Sequence, residues 1–204
     1  MTFPKPDPVP RMRAEDRREL VLEAATAVFG ERGYFGATTD GVAKAAGVSQ
    51  PYVVRMFGTK EALFLAVLER ALDRLMTTFR GVLADHPDAG PETLPRLIGQ
   101  AYGELLADRG LLLSLMHAFV LGTDPVVGAA ARAGFREVYE FLRGEARFTA
   151  DEANDFLASG MLINTLIGLR MADEIDDPHV RDLILCAAPT KSDVLVSLSR
   201  ATPV

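Results

Sequence analysis

The sequence contains few of the residues on which several protein classes depend. A single cysteine, Cys186, excludes an intramolecular disulfide framework and suits a reducing compartment. The three histidines stand far apart along the chain, without the spacing of metal ligands. The longest apolar tract, residues 111–121, is shorter than the ~20 residues of a membrane span and is interrupted by Ser114 and His117. We therefore expect a cytoplasmic protein that binds no metal and no cofactor and does not enter a membrane.

Signatures of common enzymes are missing as well. The chain has no nucleophile-elbow pattern, no phosphate-binding loop and no dinucleotide fingerprint. The acidic residues between Asp173 and Asp177 do not follow the pattern of a calcium loop, and we interpret them as a solvated turn. The first ten residues hold four prolines and no apolar segment of the kind found in a signal peptide. We expect a protein that is not an enzyme.

Charge is unevenly divided along the chain. The net charge is -6, yet residues 1–60 have nine Lys or Arg against seven Asp or Glu, a balance of +2. Residues 61–204 have thirteen against twenty-one, a balance of -8. Generic binding to polyanions is therefore disfavoured, whereas DNA binding through an N-terminal face is compatible with this division.

The Pro-rich start of the chain predicts a disordered arm over residues 1–10. Four arginines follow this arm. Two interpretations remain open for them. They can reach phosphates or an adjacent minor groove, or they can form a solubilised helix start that pairs with nearby acidic residues. The arginines are Arg11, Arg13, Arg17 and Arg18.

The stretch TTDGVAKAAGVSQPY has the pattern of a helix-turn-helix. Thr38 or Thr39 can cap a first short helix. Gly47 then permits the positive φ of a sharp turn. Ser49 can cap a second helix, with Pro51 in its first turn, where a missing N–H costs little. Such a motif presents its second helix to the major groove of DNA.

The region from Leu20 to Leu63 resembles the DNA-binding domain of the TetR-type bacterial transcriptional regulators. The resemblance implies an all-α protein, with an N-terminal three-helix helix-turn-helix domain followed by a helical ligand-binding and dimerisation domain. The motifs that carry it are AA..VF..RGY (24–34), the threonine pair (38–39), the AGVS turn (46–49) and the F.TKEAL segment (57–63).

Two positions of the second helix depart from the family's pattern. The family commonly has Tyr three residues before the Phe of this helix, and often His or Tyr directly before it. This chain has Val54 and Met56 at those positions. Val54 cannot contact a phosphate through its side chain, and Tyr52 is a candidate to compensate.

We expect the DNA contacts on the outer face of the second helix and at the neighbouring helix starts. Gln50 can pair with adenine, Arg55 with guanine or phosphate, and Tyr52 with a thymine methyl group or a phosphate. Lys60 lies at a helix start that favours an anion. The alternative for each is an ordinary exposed polar residue. The predicted DNA-binding residues are Thr38, Thr39, Lys44, Ser49, Gln50, Pro51, Tyr52, Arg55 and Lys60.

Apolar periodicity predicts helices throughout, without convincing strand alternation. After a first helix over 11–32 and the helix-turn-helix, we expect helices near 59–85, 91–107, 111–121, 124–148, 149–171 and 178–188, and a last turn at 193–198. We divide the chain into a probable disordered arm (1–10), a DNA-binding domain (11–58) and an effector-binding and dimerisation domain (59–204).

The resemblance also implies an effector pocket in the body and a homodimer formed by the last two long helices. For each residue concerned, the alternative is an ordinary place in the core of one subunit. The predicted pocket residues are Met76, Phe79, Tyr102, Met116, His117, Phe119, Phe135 and Tyr139. The predicted dimer-interface residues are Phe156, Gly160, Ile163, Ile167 and Leu183.

The sequence therefore predicts a DNA-binding transcriptional regulator. The form we expect is a repressor that binds a palindromic operator as a dimer and is released by a small apolar effector. The alternative is a helical ligand-binding or protein-interaction module that has lost specific DNA binding.

Overall fold

The structure, a computed structural model, describes residues 13–106 and 108–187. Over these residues it is all-α, as predicted, with no strand. The expected arm (1–10), Arg11 and the expected turn at 193–198 lie outside the described residues. The helices are α1 (Ala14–Gly36), α2 (Thr39–Ala45), α3 (Gln50–Phe57), α4 (Lys60–Asp85), α5 (Leu94–Leu105), α6 (Arg109–Val120), α7 (Val127–Gly144), α8 (Ala150–Gly168) and α9 (Pro178–Ala187), with a 3-10 helix at Met171–Glu174.

Helix α1 supplies the centre of the N-terminal core. Val21, Ala25 and Phe29 are fully buried because they recur on one face of the helix. The apolar residues of α1 also include Leu22, which is buried, and Leu20, which is exposed. Near its end α1 is kinked, since Gly33 takes a φ of 67°.

Helix α4 joins the N-terminal unit to the body. Its first turns bring Leu63 and Phe64 into the core around Phe29, and the Phe29 and Phe64 rings lie 4.8 Å apart. Its later turns bring Phe79 into a second core formed with α5, α7 and α8. A third core lies between α6, α8 and α9. One long helix is therefore shared by the parts of the chain that we expect to bind DNA and effector.

Helices α1 and α6 approach each other very closely. A Cβ atom on Gly30 would lie 2.7 Å from the Gly110 Cα, which leaves no space for a side chain at this contact. The Ser114 hydroxyl is buried there and donates to the Gly110 and Thr26 carbonyl oxygens, at 2.8 and 3.4 Å. The body thus packs on the N-terminal unit through backbone-to-backbone contact.

Several helix ends differ from the predicted ones, and the local backbone or a side-chain cap accounts for each. Helix α5 begins at Leu94, since residues 91–93 form a turn. Helix α7 begins at Val127, where the Asp124 carboxylate accepts hydrogen bonds from the N–H groups of Val126 and Val127. Helices α7 and α8 end at Gly144 and Gly168, before residues with left-handed backbone at 147 and 170. The other predicted helices agree to within two or three residues, apart from the kinked end of α1.

No helix among the described residues is both long and apolar enough to cross a membrane. Helix α6, which contains the longest apolar tract of the sequence, keeps an exposed end at Val120.

Candidate nucleic-acid interface and effector cavity

Helix α2 and the turn after it orient the second helix of the motif. Thr38 caps α2, since its Oγ1 accepts a hydrogen bond from the Gly41 N–H at 3.0 Å. Val42 and Ala43 hold α2 against the core. Gly47 has a φ of 65°, as the turn pattern predicted, and α3 packs directly on α2 beyond it.

Helix α3 has one buried and one exposed face. Val53 is fully buried, whereas Gln50, Pro51 and Arg55 are exposed and Tyr52 is half-buried. An exposed amide and an exposed guanidinium, less than two turns apart on a well-anchored helix, suit the reading of base edges in a groove.

Contacts within the motif restrict the side chains of this exposed face. The Gln50 Nε2 donates to the Thr39 Oγ1 at 3.3 Å, which joins the starts of α3 and α2. The Arg55 guanidinium carbon lies 5.4 Å from the centre of the Tyr52 ring. Side chains already restricted in this way lose less conformational entropy when they meet a partner.

The start of α3 and the neighbouring polar residues carry the other predicted contacts. Ser49 precedes α3 with an extended backbone, but its hydroxyl makes no capping hydrogen bond. Lys44 is exposed at the end of α2 and pairs with Asp40 at 2.8 Å. Val54, on the same exposed side of α3, is 40% exposed, so the departure from the family's pattern lies on the surface.

Lys60 holds the start of α4 against the end of α1. Its ammonium donates to the Tyr34 carbonyl oxygen at 2.9 Å and lies 4.7 Å from the centre of the Tyr34 ring. Burial raises the pKa of the Tyr34 hydroxyl, and the charges of Glu61 and Asp124 raise it further. No pattern in the sequence indicates this contact, because its two residues are 26 positions apart.

The arginines at the start of α1 differ in their surroundings. Arg13 forms an ion pair with Asp16 at 3.1 Å, which agrees with a solubilised helix start. Arg18 lies over the Phe57 ring, 5.4 Å from its centre, and so joins α1 to the end of α3. Arg17 is half-buried.

A cavity of about 430 Å³ lies in the body, between α4, α5, α6, α7 and α8. Four of the predicted pocket residues line it, namely Phe79, Tyr102, Phe119 and Phe135. The other four do not line it: Met76 is buried in the core, His117 faces Gly33 of α1, Tyr139 lines a shallower groove outside α7, and Met116 is half-buried elsewhere on α6. Helical spacing alone does not fix which side of a buried helix faces a void, and this accounts for the difference.

The cavity lining contains two uncharged polar residues, Tyr102 and Asn164, that form a hydrogen bond with each other. The Tyr102 hydroxyl donates to the Asn164 Oδ1 at 2.5 Å, and Asn164 is buried. Burial raises the pKa of Tyr102 to about 12, against a smaller opposing effect of this hydrogen bond. The phenol therefore stays neutral at any physiological pH. Sequence reasoning missed Asn164, because a single buried amide within an apolar helix leaves no pattern.

Residues 21–67, which run from α1 through α2 and α3 into α4, match the family model for "Bacterial regulatory proteins, tetR family". Solved structures of TetR-family regulators share the fold over more than nine-tenths of the chain. The N-terminal part of the chain therefore matches the DNA-binding domain of this family, and the chain shares the fold of its solved members.

Curated relatives of this protein agree best at its N-terminal end. The HTH-type transcriptional activator FasR of Mycolicibacterium smegmatis is 41% identical over 78 residues, which is 38% of this chain. That match spans only 36% of the length of FasR. The HTH-type transcriptional regulator UidR of Escherichia coli K12 is 25% identical over 174 residues, which cover 80% of this chain and 85% of UidR.

Solved structures extend the likeness to the whole TetR-type fold. The TetR-like transcriptional regulator of Rhodococcus sp. RHA1 has a TM-score of 0.61 at 18% identity and covers 93% of this chain and 96% of its own. The multidrug binding protein EbrR, crystallised with imidazole, has a TM-score of 0.54 at 24% identity over the full length of both chains. At these identities the likeness concerns the fold.

Most of the residues that we predicted for the dimer interface lie inside the chain's own fold. Phe156 and Gly160 line the cavity, Ile163 is half-buried, and Ile167 is buried in the chain's own third core. Leu183 alone among them is exposed. The exposed apolar residues of the last helices are instead Leu162, Leu169, Leu183 and Leu185.

No group of three or more His, Cys, Asp or Glu side chains that could hold a metal ion occurs among the described residues. Cys186 is exposed on α9.

Proposed function

We propose that this protein is a one-component transcriptional regulator that acts in the cytoplasm and reads a DNA operator with α3. The observation that carries the proposal is the two-sided character of α3, in which Val53 is fully buried while Gln50 and Arg55 are exposed. Both exposed groups have the hydrogen-bonding geometry for base edges, and Thr39 and Lys44 flank them at positions suited to phosphates.

We propose that the chain works as a homodimer on a palindromic site. One short helix contacts too few base edges for useful specificity, whereas two helices related by a two-fold axis can read half-sites ~34–36 Å apart. Leu162 on α8, Leu169 directly after α8 and Leu183 on α9 are exposed apolar side chains that a partner subunit would cover. Residues on this outer face, rather than the inward Phe156 and Ile167, are our candidates for the interface.

We further propose that a small effector binds in the cavity and lowers operator affinity, so that the regulator is a repressor. Helices α4 and α6 both line the cavity, and both continue into the core of the DNA-binding unit. Ala118 of α6 lies at both places. A ligand releases DNA only if it binds the non-binding conformation more tightly, and such shared helices can carry that preference.

The test is binding to DNA that flanks the protein's own gene, measured by fluorescence anisotropy against a scrambled duplex across a salt series. We expect tight, salt-dependent preference for one palindromic segment, and a marked loss of that preference in Arg55→Ala. Equally weak binding to both duplexes, together with an Arg55→Ala variant that behaves like the parent, would contradict the proposal.

A second candidate function is a ligand-binding module that no longer reads DNA. The exposed Val54 favours it, because a side chain without hydrogen-bonding groups stands where the family commonly has a tyrosine. This candidate predicts effector binding by the cavity without any DNA preference in the salt series.

A further inference from the structure

The charged residues that line the cavity are all acidic. Glu69 of α4 and Glu137 of α7 line it, and no Lys, Arg or His does so among the residues that the structure describes. We propose that the cavity selects lipophilic cations, that is, ligands with an apolar body and a nitrogen that is either permanently charged or readily protonated. This inference rests on the proposed effector site and names the class of its ligand.

Helix geometry places both carboxylates at the cavity. Glu69 lies between Leu65 and Leu72, its neighbours one turn away on α4, which line the cavity too. Glu137 follows Gly134 by one turn on α7. Both glutamates are exposed, so the carboxylates stay hydrated while the cavity is empty. A bound cation would be drawn to this rim as its apolar body entered.

Arg80 of α4 acts electrostatically on Glu137, but its ion pair is with Glu145. Three arginines of α4 pair with acidic groups outside the cavity lining: Arg70 with Glu19, Arg74 with Asp108 and Arg80 with Glu145. Within the described part of the chain neither Glu69 nor Glu137 has an ion pair. The lining therefore holds two negative charges without a matching positive one.

Aromatic rings around the cavity favour the same sign of charge. Five rings line it, and the face of an aromatic ring is negative, so it attracts a cation and repels an anion. The contribution is larger in a site from which water is excluded. The rings belong to Phe79, Tyr102, Phe119, Phe135 and Phe156.

The inner end of the cavity offers hydrogen bonds but no charge. Tyr102 stays neutral, and its hydroxyl fixes the Asn164 amide by donating to its Oδ1. The Asn164 Nδ2 has only a weak contact with the Met161 sulfur, at 3.9 Å. A single amide donor does not repay the desolvation of a carboxylate, but it suits an ether or carbonyl oxygen on a neutral part of a ligand.

The experiment compares three ligands that share one chain length and differ in charge: decyltrimethylammonium, decanoate and 1-decanol, each below its aggregation concentration. Isothermal titration with the whole protein measures the dissociation constants. We expect the cation to bind about tenfold tighter than decanoate or more, and tighter than decanol. Equal or tighter binding of decanoate, or no binding of any of the three, would overturn the proposal.

Variants separate the carboxylates from general apolar binding. We expect the Glu69→Gln/Glu137→Gln double variant to lose about tenfold in affinity for the cation while its affinity for decanol is unchanged. Glu140→Gln is the matched control, since it removes an exposed carboxylate of α7 that does not line the cavity. A double variant that keeps the full cation preference, or an equal loss in the control, would refute the assignment.

Operator binding distinguishes failure of this inference from failure of the proposed function. If decanol or decanoate releases the protein from a specific DNA site, the proposed regulator function is supported and the cation preference is refuted. Cation selectivity without DNA preference would support the cavity assignment and refute the regulator.

Discussion

Gly30 of α1 and Gly110 of α6 touch backbone to backbone: a Cβ atom on Gly30 would lie 2.7 Å from the Gly110 Cα and 2.8 Å from its carbonyl oxygen. The contact joins the helix that supports the DNA-reading motif to a helix that lines the cavity. A displacement of α6 therefore cannot be absorbed by side-chain rearrangement at this point, because no side chain lies between the two backbones. We regard this contact as a route from cavity to motif.

Gly30→Ala tests the closeness of this contact. A methyl group must push the two helices apart, so we expect the free energy of unfolding to fall by about 1–3 kcal/mol. Urea denaturation followed by circular dichroism gives the measurement. Gly99→Ala is the matched control, because Gly99 lies inside α5 with open space around its Cβ position, and alanine there should stabilise the helix by about 0.5–1 kcal/mol. An undiminished stability in Gly30→Ala would show that the helices adjust freely.

Lys60→Ala distinguishes two roles of one ammonium group. Its bond to the Tyr34 carbonyl oxygen predicts a modest loss of stability, about 1–2 kcal/mol, since a hydrogen bond from a charged donor is removed. If the same group also contacts a phosphate, we expect uniformly weaker operator binding and a salt slope smaller by about 1. Stability and anisotropy are measured on the same preparation. A stability loss with an unchanged salt slope would leave Lys60 as a purely structural residue.

Val54→Tyr tests the departure from the family's recognition-helix pattern. Val54 is exposed on α3, so a larger side chain can extend outward without disturbing the core. If α3 docks as we propose, the new hydroxyl can reach a phosphate and should tighten binding about fivefold to tenfold, the value of one added hydrogen bond. Val54→Phe provides the ring without the hydroxyl. Equal behaviour of the two variants would mean that this position does not face the DNA backbone.

The sequence was informative where a local rule determines a local structure. Thr38 and Gly47 each lie where their patterns predicted, because a cap or a positive φ needs only a few neighbouring residues. The cavity was harder to foresee. Glu69 and Asn164 line it only because five helices leave a space beside them, and no periodicity in one helix reports a space made by its neighbours.

The same limit explains the inward position of Phe156 and Ile167. Both belong to the apolar stripe of α8, and the stripe does not reveal whether it meets the chain's own core or a second subunit. Contacts between distant segments, such as Lys60 with Tyr34, leave no mark in the sequence either.

Leu162→Glu/Leu169→Glu tests the proposed dimer surface. Leu169 is 67% exposed and Leu162 lies two turns earlier on α8, so two carboxylates there should not disturb the chain's own core. Buried against a partner they would be costly, and we expect a monomer at micromolar concentration by sedimentation velocity. Val120→Glu places one carboxylate at an exposed apolar position on α6 and should remain dimeric. A double variant that sediments as a dimer would place the interface elsewhere.

Glu152→Gln predicts a difference in stability that depends on pH. Hydrogen bonds from the Thr149 N–H and hydroxyl, at 2.7 and 2.9 Å, hold the pKa of the Glu152 carboxyl below its ordinary value of 4.5. A carboxyl whose pKa is lower in the folded chain contributes stability above its unfolded pKa, and this contribution is lost as the pH falls through the folded pKa. We therefore expect the variant to melt at a lower temperature than the parent at pH 7. As the pH falls below about 4.5 the two melting curves should converge, because a protonated Glu and a Gln are alike in charge.

Asp155→Asn, a charge change on the same helix outside the capping box, is the control for general effects of charge. A difference between Glu152→Gln and the parent that is constant with pH would show that the capping box acts through shape rather than charge.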